Sequence, residues 1–144
     1  MSGYNTFKSA LVTKLTNLEE SVGVNLFVDV KKGAGAKLSG YPSATIFNKG
    51  GSGQIMDTHN NQREWQFSIF LVHQFNETVT QEVAEDTLDA VVDKVLSSFD
   101  TDQDLSGMCD FIKVVPVSFD YVILQEPFIF SELVVGVVDM VNRR

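Results

Sequence analysis

Two stretches of the chain repeat their apolar residues at the spacing of an amphipathic helix. In the first, steps of three and four residues connect Tyr4, Phe7, Leu11, Leu15, Leu18 and Val22, and Gly23 follows as a stop. The second begins near Thr78, which forms a capping-box pattern with Gln81. Its apolar stripe contains Val79, Val83, Ala84, Leu88, Val91, Val92, Val95, Leu96 and Phe99. The sequence therefore predicts two amphipathic helices.

Alternating apolar and polar residues predict five strands in the remainder of the chain. They cover residues 26–31, 43–48, 63–75, 111–124 and 128–141. Phe70 and Val72 make both faces of the third strand apolar, so we expect it to be central. Pro116 predicts an edge position or a bulge for the fourth strand. The fifth is apolar on both faces at residues 133–138, so we expect both of its sides to be covered.

Two segments rich in glycine and polar residues, 32–40 and 49–62, predict surface loops, which often carry contacts. The chain has 144 residues and shows neither an internal repeat nor a linker. We therefore predict one α+β domain over residues 1–144, a mostly antiparallel sheet packed against two amphipathic helices.

The charge of the chain limits the classes of partner. Eleven basic and 19 acidic residues give a net charge of −8, which argues against specific nucleic-acid binding and against docking on an anionic membrane. The chain starts unlike a signal peptide and has no apolar run long enough for a membrane helix, so we expect an intracellular protein. A mean hydropathy of +0.03 is high for so acidic a chain. An oligomer interface is one place where the surplus of apolar residues can be buried.

The charge is also unevenly distributed. Residues 1–50 carry six bases and three acids, whereas residues 77–110 carry ten acids and one base. On the second helix the acids share one side: Glu82, Glu85, Asp86, Asp89 and Asp93. Like charges four residues apart cost about 0.2–0.5 kcal/mol per pair in an isolated helix. This side is a solvated face, a surface complementary to a neighbouring copy, or the wall of an acidic channel.

An acidic turn has part of the pattern of a calcium-binding loop. Asp100, Asp102 and Asp104 have the required spacing, but Leu105 and Phe111 stand where that loop needs a glycine and a bidentate glutamate. The pattern therefore argues against a calcium site.

The remaining candidates for chemistry lack a supporting motif. Cys109 is the only cysteine, which excludes an internal disulfide and a four-cysteine zinc site. Neither His59 nor His73 forms a recognisable catalytic pattern with it, and the glycine-rich segments fail the nucleotide-binding patterns. We expect no catalytic residue, no cofactor and no metal.

The order of elements and three short stretches resemble the tail terminator (tail completion) proteins of long-tailed bacteriophages. The stretches are Tyr41-Pro-Ser-Ala-Thr-Ile46, Asp57-Thr-His-Asn-Asn61-Gln-Arg63-Glu-Trp65-Gln-Phe67 and Asp104-Leu-Ser-Gly107. The resemblance covers nearly all of the chain. One departure is the last strand, which opens Phe128-Ile-Phe-Ser-Glu-Leu where a more polar opening is expected.

The resemblance implies a non-enzymatic virion protein that assembles in the host cytoplasm and resides in the tail. It implies a homo-oligomeric ring, expected to be a hexamer, that caps the tail tube protein, ends tube growth and offers a surface to the head connector protein. DNA can pass through an acidic ring without binding it. We expect interface contacts from Asp57, Asn61 and Arg63, with an Asp57–Arg63 pair that merely orders the loop as the alternative.

Two other functions stay open at the level of sequence. A head–tail joining or minor tail protein would have a similar size and layout. From another class, a small α+β enzyme or ligand-binding domain would use His73, Cys109 and the acidic turn at Asp100–Asp104 as its polar groups.

Overall fold

A computed structural model describes residues 3–33, 38–55, 60–75, 78–105, 107–122 and 128–142, with residues 50–55, 60–62, 118–122 and 140–142 described by their backbone alone. Two helices and seven strands form a single α+β domain. In chain order they are α1 (Tyr4–Thr16), β1 (Glu19–Ser21), β2 (Val24–Asn25), β3 (Asp29–Lys32), β4 (Ser43–Ile55), β5 (Asn60–Gln74), α2 (Gln81–Thr101), β6 (Phe111–Val122) and β7 (Phe128–Asn142).

Five of the strands form the main sheet, in the order β3-β4-β5-β7-β6. The β3–β4 pair is parallel and the other three pairs are antiparallel. This confirms the predicted fold class and the central position of β5. Strands β1 and β2 form a separate two-stranded hairpin, which the sequence did not predict.

Both helices cover the same face of the sheet. Phe7 and Tyr4 of α1 contact Trp65 and Phe67 of β5 through their rings. Helix α2 packs against β5, β7 and β6. The side chains under the helices are fully buried, among them Phe67, Ile69, Leu71, Ile129, Leu133, Val135 and Val137. The hydrophobic core therefore lies on one side of the sheet only.

The prediction that the first helical stripe runs to Val22 is wrong. Helix α1 ends at Thr16, and Asn17 is its C-cap. Gly23, with a φ of +81°, makes the turn between β1 and β2, and Leu26 N–H donates to the carbonyl of Leu18 at 2.8 Å. Val22 lies in that turn and is 98% exposed, so its spacing matched the helical stripe by coincidence.

The first predicted strand is only partly correct, because β3 begins at Asp29 and not at residue 26. Before it, Leu26 and Phe27 are both buried although they are adjacent, and Val28 is 59% exposed. The backbone of Leu26 is already bonded to the β1–β2 hairpin, and Val28 N–H donates to the carbonyl of Pro42. These bonds prevent the regular alternation that the apolar pattern predicted.

The loop predicted at residues 49–62 is wrong for residues 49–55 and 60–62, which lie in strands, and residues 56–59 lie outside the described part of the chain. Strand β4 continues to Ile55 and β5 starts at Asn60, with paired residues from Ser43↔Val72 to Ile55↔Asn61. The register shifts once along the described ladder, between Asn48 and Gly50. Glycine weakens a strand, but here the ladder holds the backbone because β5 pairs with β7 on its other side.

Strand β6 confirms both expectations for Pro116. It is an edge strand, and its register with β7 shifts between Pro116 and Ser118. Proline has no N–H to donate, so an edge with a bulge accommodates it without loss of a ladder bond.

Helix α2 begins two residues later than predicted, and its N-cap is Thr80 and not Thr78. The Thr80 hydroxyl accepts a hydrogen bond from Val83 N–H at 3.3 Å. We expect Thr80→Ala to lower the free energy of unfolding by about 1 kcal/mol, because that N–H loses its partner. Urea denaturation measures the change. Thr80→Ser keeps the hydroxyl and should stay close to the wild-type value; equal losses in both variants would contradict the cap.

Candidate functional site

Three strands extend beyond the helix layer and form an arm, which we define as residues 53–55, 60–63 and 139–142. The helix cover ends between Trp65, which is buried, and Arg63, which is exposed on the same face of β5. Beyond Glu64, β5 still pairs with β4 on one side and with β7 on the other. Strand β6 does not reach the arm, since it starts opposite Val138. Four residues of β5 give the arm a length of about 13 Å.

Two of the three predicted interface residues, Asn61 and Arg63, lie in this arm. Arg63 stands between Gly53 and Asp139 in the register of the sheet, and its side chain is exposed. Asn61 is paired through its backbone between β4 and β7. Asp57 lies outside the described residues, so the alternative Asp57–Arg63 pair stays a prediction. Arg63 and Asn61 thus belong to a paired strand, although the sequence placed Asn61 in a loop.

The other face of the sheet carries a row of aromatic rings that the sequence analysis did not identify. We call it the open face. The ring of Phe70 on β5 lies between two others. Its centroid is 5.1 Å from that of Phe47 on β4 and 5.4 Å from that of Phe130 on β7. Tyr41 and Phe128 form a further pair at 5.4 Å. No described helix covers these rings, and all five remain half-buried.

The expectation that both sides of β7 are covered is therefore only half right. The helices cover one side, and on the other Val138 is 2% exposed whereas Val134 is half-buried. The alternation of apolar residues in β5 and β7 indicated an apolar second face. It did not show which strands lie side by side, and only that adjacency turns separate rings into a row.

Charged groups on the open face form ion pairs across strands. Lys49 Nζ lies 3.6 Å from a carboxylate oxygen of Glu132, which also accepts a hydrogen bond from Ser68 at 2.8 Å. Lys113 Nζ lies 3.4 Å from Oε1 of Glu64. To reach Lys113 on β6, Glu64 crosses over Gly136 of β7, where a Cβ atom would come within 2.8 Å of Oε1. The glycine leaves the space in which this carboxylate lies.

Helix α2 carries the negative charge on the opposite side of the molecule. Of the five acids on this side, Glu82, Asp86, Asp89 and Asp93 are exposed and Glu85 is half-buried. Beside them lies a cleft of about 440 Å³ between α2 and the β1–β2 hairpin. Its lining is partly apolar and partly polar: Glu20, Asn25, Leu26, Val28, Pro42, Asp86, Thr87, Ala90, Val91 and Lys94.

The structure does not bring Cys109 and His73 together. His73 pairs with Ile129 at one end of the sheet, and Asp110, next to Cys109, donates its backbone N–H to Val138 at the other. Nine residues along β7 correspond to about 30 Å. Burial lowers the pKa of His73, so its imidazole is neutral at neutral pH, and its buried Nδ1 has no hydrogen-bond partner among the described residues. These two side chains cannot form a nucleophile–base pair in this fold.

The environment of Cys109 also suppresses the reactivity of its thiol. Burial, helped by Asp139, Asp104, Asp110 and Asp102, raises the pKa of Cys109 from 9.0 to about 11. We expect alkylation near neutral pH to be about 100-fold slower than for an ordinary thiol, because the thiolate is the nucleophile. The rate should keep rising with pH past the usual thiol range.

Iodoacetamide labelling of the native protein over a range of pH measures this rate. The same protein unfolded in urea is the control, since it presents the single cysteine to solvent. Equal rates in the two states would contradict the raised pKa.

The acidic turn after α2 is held by contacts within the chain. Asp102 accepts a hydrogen bond from Lys14 at 3.0 Å, which ties the ends of the two helices together. Leu105 adopts a φ of +51°, a left-handed conformation that glycine ordinarily favours. Leu105 is buried at 4% exposure, and this burial offsets the backbone cost of about 1–2 kcal/mol. Among the described residues, no group of three or more His, Cys, Asp or Glu side chains could hold a metal ion.

No family model matches the chain, and no curated protein matches it in sequence. Within the described part of the chain, no helix combines the length and the apolar character needed to cross a membrane.

Proposed function

We propose that this protein is a tail terminator of a long-tailed bacteriophage, a ring-forming virion protein that caps the tail tube, ends its growth and presents a surface to the head connector. The observation that carries the proposal is the arm. Its three strands stay paired beyond the buried Trp65, and the exposed side chain of Arg63 marks where the helices no longer cover that face of the sheet. A projecting arm is what a subunit needs to contact a neighbour or a tube.

The outer edge of β4 supports the same function. Strand β3 pairs only with residues Ser43–Ile46 of β4, and no described strand pairs with that side of β4 from Phe47 to Ile55. An unpaired strand edge presents N–H and C=O groups that another chain can bond. A ring uses contacts in which one patch meets a different patch on the next copy, and this edge is suited to such a contact.

The charge distribution gives a further argument. Residues 1–50 are net positive and residues 77–110 are net negative, and the exposed side of α2 carries four carboxylates. Opposite charges on one subunit favour head-to-tail association of copies. An acidic surface that faces the bore of the ring would repel DNA and let it pass.

The solution mass and the shape of the assembled protein test the proposal. We expect light scattering to give the mass of one ring of six copies or of two such rings, and negatively stained particles to show closed rings. We also expect these rings to bind the ends of purified tail tubes and not their sides. A chain that stays monomeric at all concentrations and does not bind tube ends would contradict the proposal.

The position of the protein in the virion separates the terminator from its neighbours. A terminator lies between the last tube ring and the connector, whereas a head–tail joining protein remains on heads that lack tails. Labelled antibody on separated heads and tails distinguishes these two locations.

The cleft beside α2 favours a small-molecule-binding domain as the second candidate. Its five apolar side chains and the Asp86 carboxylate could accommodate a ligand with an apolar body and a positive charge. A thermal-shift screen tests this candidate, since a ligand that binds only the folded state raises the melting temperature. A saturable shift that Asp86→Asn abolishes would favour it over the terminator.

A further inference from the structure

The open face has the properties of a protein interface and not of a solvated surface. Its half-buried rings are joined by exposed apolar residues on β6, where Val115 is 55% and Phe111 is 39% exposed. Aromatic residues are enriched at the centres of protein interfaces, and charged residues are depleted there. An apolar surface of this kind on an acidic protein needs a partner.

The charges of the open face identify what kind of partner it fits. Among the residues whose side chains the structure describes, this face carries three lysines and three acids, and each is in an ion pair: Lys31 with Asp29, Lys49 with Glu132, and Lys113 with Glu64. These six charges cancel, whereas the whole chain carries −8. A second copy of this chain that approaches the side of α2 meets like charges, whereas one that approaches the open face does not.

The area of the open face is sufficient for a contact between two copies. Its four long strands, β4, β5, β7 and β6, lie side by side over the nine residues from Glu64 to Val72. Standard strand spacings give a face of about 600 Å², so that two copies would bury about 1,200 Å², which is within the range of stable protein interfaces. Two sheets of this size can pack face to face at a distance of about 10 Å.

We propose that two copies of this chain pack open face to open face, with their rows of aromatic rings in contact. In this contact the same patch meets itself, so it pairs subunits and does not close a ring. The inference is thus independent of the proposed function. If rings form through the arm and the open faces pair, the assembly is a double ring; if the arm makes no contact, it is a dimer.

A matched pair of exposed valines tests the inference. Val115 lies on the open face and is 55% exposed, and Val83 lies on α2 and is 53% exposed. We expect Val115→Glu to halve the number of copies in the assembly, because each pair would then bury two facing carboxylates. We expect Val83→Glu to leave that number unchanged. Analytical ultracentrifugation over a wide concentration range measures both.

Thiol labelling gives a second readout that does not depend on a destabilising charge. Cys109 is buried and its pKa is raised, so the native thiol reacts slowly with a labelling reagent. An introduced exposed cysteine therefore accounts for most of the labelling. Labelling of Val115→Cys should slow as protein concentration rises, and labelling of Val83→Cys should not.

Three results would each overturn the pairing. They are a wild-type chain that is monomeric at every concentration, an unchanged mass for Val115→Glu, or an equal loss of mass for Val83→Glu. Loss of rings with retention of pairs would contradict the proposed function and leave the pairing intact.

Discussion

Replacing Phe67 with alanine should lower the free energy of unfolding by about 3–5 kcal/mol, the largest effect on stability that we expect from a single truncation in this chain. Phe67 is fully buried in the central strand β5, and the ring of Tyr4 in α1 packs edge-on against it at 5.6 Å. The truncation leaves a cavity under α1 that the paired backbone of β5 cannot close. A domain of this size has only about 5–15 kcal/mol of stability, so a large part would be lost.

Urea denaturation followed by tryptophan fluorescence measures this loss, since Trp65 lies two residues away in the same strand. The control is Met108→Ala, which removes an apolar side chain that is 38% exposed in the turn before β6. It should change stability by no more than about 0.5 kcal/mol. Similar changes in the two variants would contradict the placement of Phe67 in the core.

Removing the arm should abolish ring assembly while the domain stays folded. Residues Ser52 and Glu64 face each other in the β4–β5 ladder, so replacing residues 53–63 with Asn-Gly joins them by a two-residue turn. The core lies on the other side of Trp65, under the helices, and the deletion does not reach it. The arm is the part of the subunit that we propose to contact neighbours or the tube, so without it we expect no rings and no binding to tube ends.

The matching point variant is Arg63→Glu, which keeps the backbone of the arm and reverses the one described side chain that is exposed there. Circular dichroism and urea denaturation verify folding, and electron microscopy with light scattering counts the copies. We expect the point variant to weaken assembly in a salt-dependent way and the shortened chain to eliminate it. Rings of normal size from the shortened chain would exclude the arm as a ring contact.

The parts of the fold that the sequence predicted are those whose pattern depends on local burial. Helix α2 and strand β5 each place long apolar stripes against one layer, so their periodicity marks the element directly. The arm was missed because residues 49–55 contain three glycines and little apolar alternation. Their extended conformation is imposed by pairing with β5, and such non-local pairing leaves no signal in the segment itself.

The residues of the candidate site also divide into those that a local pattern identifies and those that only the strand order brings together. Arg63 could be identified because it stands two residues before Trp65 on an alternating strand. The aromatic row could not, since Phe47, Phe70 and Phe130 are far apart in sequence and meet only through the strand order β4-β5-β7. The separation of Cys109 from His73 likewise depends on strand register, which spacing along the chain does not encode.

Because the carboxylate of Glu64 lies over Gly136, the residue at position 136 depends on the residue at position 64, although the two are on different strands. Any side chain at 136 would enter the space that Glu64 occupies on its way to Lys113. An alanine at 136 would push the flexible end of Glu64 away from its present position and so disturb the Glu64–Lys113 ion pair. Sequences that keep glutamate at 64 and lysine at 113 should therefore favour glycine at 136.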